Sequence, residues 1–256
     1  MDNIKKKHLI KKKNKIISLL NEVSSMDETS IKFSGAQNDD FMNLIKNSTI
    51  EALERKTKIP EWLKKINGLS GRKYRALINN LISKMKSPKY LEIGSFTGST
   101  ACSASFNNDL KITCIDNWSD DFEQNIDPSK EFSSNIKKCL TDNSQIEIIS
   151  SDFRKVNFRN IGKFNIFLYD GPHHLEDHID GITLVQDALE NKFILIIDDW
   201  NWTQVRDGTF LALDNLNLTI VSQLEIRTTH DGTNSLWHSE NSDWHQGYSF
   251  FVLKKN

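Results

Sequence analysis

The 256-residue chain has little of several features that mark specialised protein classes. It has 3 cysteines and 4 prolines, and no apolar run approaches the ~20 residues of a transmembrane helix. Lys and Arg total 33 against 34 Asp and Glu, so the net charge of −1 gives no basis for a nucleic-acid partner. No apolar segment follows the first lysines, so a secretory signal is not expected. The sequence therefore predicts a cytoplasmic protein without a membrane span.

The three cysteines, Cys102, Cys114 and Cys139, are odd in number and lack metal-ligand spacing. They fit a reducing cytosol, and we interpret them as packing residues. Hydrophobic residues make up 38% of the chain and charged residues 26%. With this length, that balance suits one globular α/β domain with an extension.

One stretch, Tyr90–Thr100, reads YLEIGSFTGST and predicts a strand, a glycine turn and the start of a helix. Gly94 and Gly98 allow a tight turn and the close approach of a ligand to the backbone. Ser99 or Thr100 can cap the helix that follows. Free backbone N–H groups at such a helix start favour a negative group on a ligand.

Strand-like and helix-like segments alternate after this turn. The alternation predicts an α/β fold with a mostly parallel, seven-stranded sheet, right-handed crossovers and helices on both faces. Four further strands and a final pair are expected at Ile112–Ile115, Ile146–Ile149, Phe164–Tyr169, Phe193–Ile197, Leu218–Val221 and Tyr248–Leu253.

Counting the strand at Tyr90 as the first, the second strand is Ile112–Ile115 and the third is Ile146–Ile149. Polar residues follow both of them. Asp116 ends the second strand, where a carboxylate can accept two hydrogen bonds from a ribose diol; the alternative is a turn or capping aspartate. Asn117 and Trp118 come next, and the indole can pack on an adenine face. Ser151 and Asp152 follow the third strand as further ligand candidates, although Asp152 can equally cap the next turn.

Three acids follow the predicted strands Phe164–Tyr169 and Phe193–Ile197, which are the fourth and fifth strands in this count. Asp170 comes after the fourth, and Asp198 and Asp199 come after the fifth. Because the carboxyl ends of parallel strands meet at one edge of a sheet, these carboxylates should converge and repel one another unless a cation lies between them. Oxygen ligands suit Mg²⁺ or Mn²⁺ better than Zn²⁺. The alternative is a polar loop after a buried strand.

The pattern E-x-G-S-x-x-G-x-[ST] at Glu92–Thr100 resembles the first motif of class I S-adenosylmethionine-dependent methyltransferases. The acids after the fourth and fifth strands resemble those of the metal-dependent O-methyltransferase branch, exemplified by catechol and macrocin O-methyltransferases. The resemblance covers about residues 88–253 and implies a Rossmann-like fold. The metal ligands that it implies are Asp170, Asp198 and Asp199. The candidate S-adenosylmethionine-binding residues are Glu92, Gly94, Ser95, Gly98, Ser99, Asp116, Asn117, Trp118, Ser151 and Asp152.

The catalytic base is predicted among the histidines. In the catechol enzyme the residue three positions after the first metal acid is a lysine base, and His173 stands at that position here. A histidine has a pKa nearer neutrality and can do the same work. We favour His173, with the adjacent His174 as the second candidate. Three other histidines could reach the site from C-terminal loops: His230, His238 and His245. The structural alternative for the His173/His174 pair is a capped turn before a helix.

Residues 1–87 are predicted to form a helical extension, and residues 88–256 the methyltransferase domain. The resemblance implies that such helices cap the cofactor, build the substrate pocket or make a dimer contact. One helix is expected over Asp39–Thr57, and Ser70 is expected to cap another. The lysine-rich run Lys5–Lys15 fits a solvated helix face, or alternatively an amphipathic arm for an anionic surface.

Together these observations predict a cytoplasmic O-methyltransferase that uses S-adenosyl-L-methionine and Mg²⁺ or Mn²⁺ and acts on a hydroxyl of a small or glycosyl acceptor. A homo-oligomer is possible. Trp200, Trp202 and the loop Thr228–Gly247 are expected near the acceptor, although either tryptophan can equally support the core. Two other functions remain: a non-catalytic cofactor-binding module, and a metal-dependent hydrolase using the same acids. Glu92 and the absence of a P-loop lysine count against the hydrolase.

Overall fold

The structure is a computed structural model that describes residues 9–17, 29–119 and 126–256. Within these ranges, eight strands form one sheet in the order β1-β7-β8-β6-β5-β2-β3-β4. The strands are β1 (Ser30–Gly35), β2 (Lys89–Ile93), β3 (Lys111–Asp116), β4 (Gln145–Ser150), β5 (Phe164–Tyr169), β6 (Leu189–Ile197), β7 (Leu218–Arg227) and β8 (Tyr248–Lys255). The helices are α1 (9–17), α2 (Asp40–Leu53), α3 (Glu61–Lys64), α4 (Arg72–Lys84), α5 (Ser99–Ser105), α6 (Pro128–Lys137), α7 (Leu175–Leu184) and α8 (Thr203–Asn215).

The sheet is parallel at its centre and antiparallel at one side. β2 to β6 pair in parallel, as the alternation of strands and helices predicted. β8, β7 and β1 pair antiparallel beyond β6. The mixed α/β, Rossmann-like class predicted from the sequence is therefore confirmed.

Alternate side chains of each central strand supply two separate cores, one on each face of the sheet. Leu168 of β5 and Ile196 of β6 join one core, together with apolar residues of α2, α4, α5 and α6. Phe167 and Leu195 join the other, together with residues of α7 and α8. Because both faces are covered, the central strands are apolar along almost their whole length.

The extension preceding β2 differs from the prediction in one element. It was expected to be helical, but residues 30–35 form β1, an edge strand that pairs antiparallel with β7. The sheet consequently has eight strands rather than seven. The sequence signal was weak because SIKFSG is short and its residues are exposed or half-buried in the structure. The predicted helix over Asp39–Thr57 is present as α2, with the Asp39 side chain accepting from the N–H groups of Phe41 and Met42.

Two other segments of the extension can be compared with the prediction, the start of α4 and the lysine-rich run. α4 begins after Gly71, so Ser70 is not its cap, and its hydroxyl instead meets Arg75 and Ser99. Residues 9–17, which include the second half of the lysine-rich run, are helical, whereas residues 1–8, 18–28 and 120–125 lie outside the described ranges. No helix in the described ranges combines the length and the apolar content needed to cross a bilayer.

Candidate active site

Strand register brings the predicted site residues into one row. Ile93 at the end of β2 pairs with Ile115 of β3 on one side and with Tyr169 of β5 on the other. Tyr169 in turn pairs with Ile197 of β6. The residue after each of these four positions therefore lies at the same edge of the sheet. These residues are Gly94, Asp116, Asp170 and Asp198.

The turn after β2 has the backbone that its glycines allow. Gly94 has φ 87°, and a Cβ added to it would overlap the backbone carbonyl of Asp170. Gly98 has φ 90° and is the residue that precedes α5. The prediction that Ser99 or Thr100 caps this helix is wrong, since both lie inside α5 and no side chain caps it.

Asp116 holds the glycine turn in place. Its Oδ2 accepts the N–H groups of Ser95 at 2.7 Å and Phe96 at 2.8 Å, and its Oδ1 accepts the Trp118 N–H at 2.7 Å. The Trp118 indole is fixed as well, because its Nε1 donates to the Phe96 carbonyl at 2.9 Å. Each carboxylate oxygen can accept more than one hydrogen bond, so Asp116 keeps acceptor capacity for a ligand hydroxyl.

A single cavity runs along this edge of the sheet and joins the turn to Asp170 and His173. Most of the predicted cofactor residues line it. These are Gly94, Ser95, Ser99, Asp116, Asn117, Trp118, Ser151 and Asp152. Asp152 also accepts the Arg154 N–H at 3.0 Å, so it caps the following turn as the alternative interpretation had it. Glu92 and Gly98 are not in the cavity wall.

Glu92 lies beneath the turn, fully buried. Its Oε2 accepts the Tyr90 hydroxyl at 2.6 Å, while its Oε1 has no hydrogen-bond partner among the described residues. Burial raises the pKa of Glu92 to about 7, against the lowering effect of Tyr90 and of the nearby Ser95 hydroxyl. A buried carboxyl with one unsatisfied oxygen is costly unless a ligand or water completes it. Its role in binding S-adenosylmethionine stays a prediction.

The three predicted metal acids lie at the same edge of the sheet and affect one another electrostatically. Asp198 and Asp199 are buried, and the charges of both contribute to the raised pKa of the Asp170 carboxyl. Asp170 does not belong to the group of possible ligand atoms within 4.8 Å of one another that contains Asp198 and Asp199. Burial, with the neighbouring carboxylates as the next cause, raises the pKa of Asp170 and that of Asp199 well above the usual range. Burial also raises the pKa of Asp198 to about 7. Without a cation, the cluster is therefore an unfavourable place for three negative charges.

Asp199 adopts a left-handed backbone, with φ 53°. This conformation is uncommon for a residue other than glycine, and such strain concentrates at functional sites. His173 Nε2 lies 3.3 Å from Asp199 Oδ2, and burial lowers the pKa of His173 to about 4. Trp202 packs edge-on against the His173 ring, at 5.3 Å between centroids. The favoured base is thus a neutral imidazole between the cavity and the acids.

His245 reaches the same acid from the C-terminal loop. Its Nε2 lies 3.5 Å from Asp199 Oδ1, and Asp198, Asp199 and His245 form a group whose ligand atoms lie within 4.8 Å of one another. The Ser239 N–H, however, donates to His245 Nδ1 at 3.0 Å. Burial lowers the pKa of His245 to about 3, so the ring is neutral and carries its proton on Nε2. A protonated ring nitrogen does not ligate a cation, and in this tautomer His245 donates toward Asp199.

The remaining candidates lie elsewhere. His174 is exposed and precedes α7, where its backbone N–H donates to Asp177 Oδ2 at 3.0 Å, which matches the capped-turn alternative for that residue. His230 and His238 are exposed. Trp200 is fully buried and donates to Glu225 at 2.7 Å, so it supports the core.

Sequence reasoning missed several cavity residues. Gly68 and Leu69 come from the segment before α4, and Arg154 comes from the turn after β4. Arg154 pairs with Asp177 at 2.6 Å and with Asp180 at 2.8 Å, which ties the cavity wall to α7. No local pattern marks Gly68 and Leu69, since only the fold brings them to the cavity. Arg154 could have been found from the sequence, because it lies two residues after the predicted ligand candidate Asp152.

Residues 91–200 match a family model described as a methyltransferase domain. This match supports the prediction of a methyltransferase enzyme. No curated protein matches the chain.

Solved methyltransferases are similar in structure. The O-methyltransferase TomG from Streptomyces achromogenes, in complex with S-adenosylmethionine, is 12% identical with a TM-score of 0.49, covering 85% of this chain and 91% of that one. An O-methyltransferase from Bacillus cereus is 10% identical with a TM-score of 0.47, covering 85% and 92%. TrmN from Thermus thermophilus is 13% identical with a TM-score of 0.47, covering 71% and 49%. The chain spans about half the length of the first structures it matches. Likenesses at this level do not identify an acceptor.

Proposed function

We propose that this protein is an S-adenosylmethionine-dependent O-methyltransferase that uses Mg²⁺ or Mn²⁺ and methylates a hydroxyl of a small or glycosyl acceptor. The observation that carries the proposal is the cavity itself. One continuous space is lined at one end by the glycine turn and Asp116 and at the other by Asp170 and His173. A donor bound along the turn would therefore present its reactive end to the acids and the histidine.

The donor set fits a hard divalent cation. Asp170, Asp198 and Asp199 offer carboxylate oxygens, and the buried Oδ1 of Asp199 has no hydrogen-bond partner among the described residues. Burial raises the pKa of all three carboxyls, and repulsion from neighbouring carboxylates adds to this for Asp170 and Asp199; a bound cation would act in the opposite direction. These three residues would hold the ion. When bound, it would supply Lewis-acid activation of the acceptor hydroxyl.

The chain's own residues do the remaining work. The Asp116 contacts hold the turn's backbone rigid beneath the donor. His173 is neutral and lines the cavity, and in this proposal it takes the proton of the acceptor hydroxyl. Asp199 Oδ2 lies 3.3 Å from His173 Nε2, and the Trp202 ring packs edge-on against the imidazole, so both neighbours restrict where the ring can lie. Alignment of the hydroxyl oxygen with the methyl carbon is then set by rigid elements.

A glycosyl acceptor is supported by the loop between β7 and β8. A groove beside Trp244 is lined by the indole of Trp237, which is 41% exposed, and by polar side chains of Arg72, Asn241 and Asp243. An exposed aromatic face among amide, carboxylate and guanidinium groups suits the apolar face and hydroxyls of a sugar. Thr228, also in this groove, accepts from Asn201 at 2.7 Å, two residues after Asp199.

Thermal unfolding of the purified protein tests the proposal. S-adenosylhomocysteine at ~100 times its dissociation constant should add about 2.7 kcal/mol to the free energy of unfolding, and NAD should add nothing. Mg²⁺ should stabilise the wild type, and chelator should remove both that gain and turnover. Stabilisation by S-adenosylhomocysteine with no response to Mg²⁺ would keep the methyltransferase and reject the ion. A response to Mg²⁺ alone would favour the hydrolase alternative.

A further inference from the structure

Arg75, in the first turn of α4, is fully buried and holds a stretch of backbone. Its Nη1 donates to the carbonyls of Lys64 at 3.0 Å and Ile66 at 2.9 Å, and its Nη2 donates to the carbonyl of Gly68 at 3.0 Å. Its Nε donates to the Ser70 hydroxyl at 2.8 Å. A planar guanidinium with donors in fixed directions is suited to fix several carbonyls at once.

The backbone held in this way is residues 63–71, called the strap below, which comprises the last two residues of α3 and the segment that joins α3 to α4. Two of its residues, Gly68 and Leu69, line the cavity together with Asp116 and Ser151 from the edge of the sheet. The Leu69 side chain is 45% exposed in the protein, so apolar surface is left for a ligand to cover. The strap is thus a cavity wall made by the N-terminal extension.

The strap also touches the glycine turn directly. The Ser70 hydroxyl lies 3.0 Å from the Ser99 hydroxyl at the start of α5, and the Thr97 hydroxyl donates to the Asn67 carbonyl. A Cβ at Gly68 would overlap the Ser99 side chain, so only glycine allows this approach. Any movement of the strap would therefore shift the turn against which the donor is proposed to bind.

The far end of the strap is fixed independently of Arg75. The N–H groups of Arg72 and Lys73 at the start of α4 donate to the carbonyls of Ser242 and Asp243, at 2.9 and 3.0 Å. Lys73 also pairs with the Asp243 carboxylate at 2.8 Å. Loss of the Arg75 hydrogen bonds should consequently loosen the middle of the strap, while α4 stays attached through Arg72 and Lys73.

We propose that the strap is the wall that closes the donor end of the cavity, and that Arg75 is the positioning residue that sets its shape. This inference rests on the proposed donor. Arg75 acts through the carbonyls that it holds and does not contact the donor itself. The apolar contact to the donor comes from Leu69. The extension is thereby assigned to donor binding, one of the three uses expected for it.

The test compares Arg75→Lys, which keeps the positive charge but loses the planar guanidinium and its several N–H donors, with Asn80→Ala on the same helix. Asn80 is also buried and holds a backbone carbonyl, that of Lys56 at 2.8 Å, but it does not line the cavity. Calorimetric titration with S-adenosylhomocysteine, at a temperature where all variants are folded, should show at least about tenfold weaker binding for Arg75→Lys and less than about twofold for Asn80→Ala. A merely structural role would lower both melting temperatures and leave both dissociation constants unchanged.

Leu69→Ala keeps the inference testable if Arg75→Lys does not fold, because this side chain is half exposed. About threefold weaker binding of S-adenosylhomocysteine is expected from the lost apolar contact. Unchanged binding by Leu69→Ala, or equal loss in Arg75→Lys and Asn80→Ala, would overturn the role of the strap. If the wild type itself does not bind S-adenosylhomocysteine, the proposed function fails first, and the two failures are thus distinguishable.

Discussion

The two ends of the cavity satisfy their polar groups in opposite ways. At the turn end, Asp116 accepts three backbone N–H groups in the absence of any ligand. At the acid end, the buried Asp198 and Asp199 lie near Asp170, and Oδ1 of Asp199 has no hydrogen-bond partner among the described residues, with His245 Nε2 3.5 Å away. The first end is preorganised by the chain alone. The second is organised around a positive charge that the chain does not supply.

This difference indicates how each end should respond to change. Substitutions at the turn end should alter ligand affinity by disturbing a rigid backbone. Substitutions at the acid end should alter chemistry strongly, yet relieve repulsion in the ion-free protein. Four experiments separate the two behaviours.

The largest effect is expected for Asp199→Asn. The rate of methyl transfer should fall about 10³-fold, since the variant loses a proposed ion ligand and the carboxylate that lies 3.3 Å from His173. In the absence of the ion, the free energy of unfolding of the variant should nevertheless be about 1 kcal/mol higher than that of the wild type, because one buried carboxylate is gone. Kinetics and denaturant titration in the presence of chelator measure the two quantities. The exposed Asp214→Asn on α8 is the matched control, and equal rates for both variants would remove the ion from the proposal.

Glu92 should make stability depend on pH. Its pKa rises from the ordinary 4.5 to about 7, so between these values the native state holds a proton that the unfolded chain releases. The contribution is present below pH 4.5 and is lost as pH rises through 7. Relative to Glu92→Gln, the wild type should therefore lose about 3 kcal/mol of unfolding free energy over this range.

Urea titrations of both proteins at several pH values measure this difference directly. Glu147→Gln, at an exposed position of β4, controls for loss of a strand carboxylate. A constant difference between the wild type and Glu92→Gln across the range would show that the Glu92 carboxyl is ionised in the native protein throughout.

Asp116→Asn should weaken S-adenosylhomocysteine binding about tenfold, because an amide NH₂ in place of one oxygen would oppose backbone N–H donors of the turn. Calorimetry gives the dissociation constant. Asp109 is exposed and lies two residues before the start of β3, at the end of the strand away from Asp116. The control variant Asp109→Asn should bind S-adenosylhomocysteine as the wild type does. If the turn is not the donor site, the two variants will bind equally.

The smallest effect is expected at His245. Replacing it with phenylalanine removes the Nε2 donor that faces Asp199 Oδ1 and should lower the turnover number about threefold. Glutamine can donate from a similar position and should restore part of the loss. A loss of Mg²⁺ affinity as large as that of Asp199→Asn would instead make His245 an ion ligand and reject the tautomer inferred from Ser239.

The sequence predicted the central sheet well because each parallel strand carries its own signal. Phe164–Tyr169 and the apolar end of β6 are buried on both faces, and such runs are recognisable without knowledge of their neighbours. Residues after strand ends were predicted as a row for the same reason, and the register confirms the row. β1 was missed because an edge strand is specified by its partner β7 and carries little apolar periodicity of its own.

What the sequence determined by itself is thus local: the strands, the glycine turn and the acids at the carboxyl edge, each encoded by residues within a few positions. Tertiary structure decided which distant residues complete the site. Arg75 and the strap, His245 on its loop and the exclusion of His174 depend on contacts between segments far apart in the chain. Such contacts follow from packing of whole elements, which no short pattern of residues records.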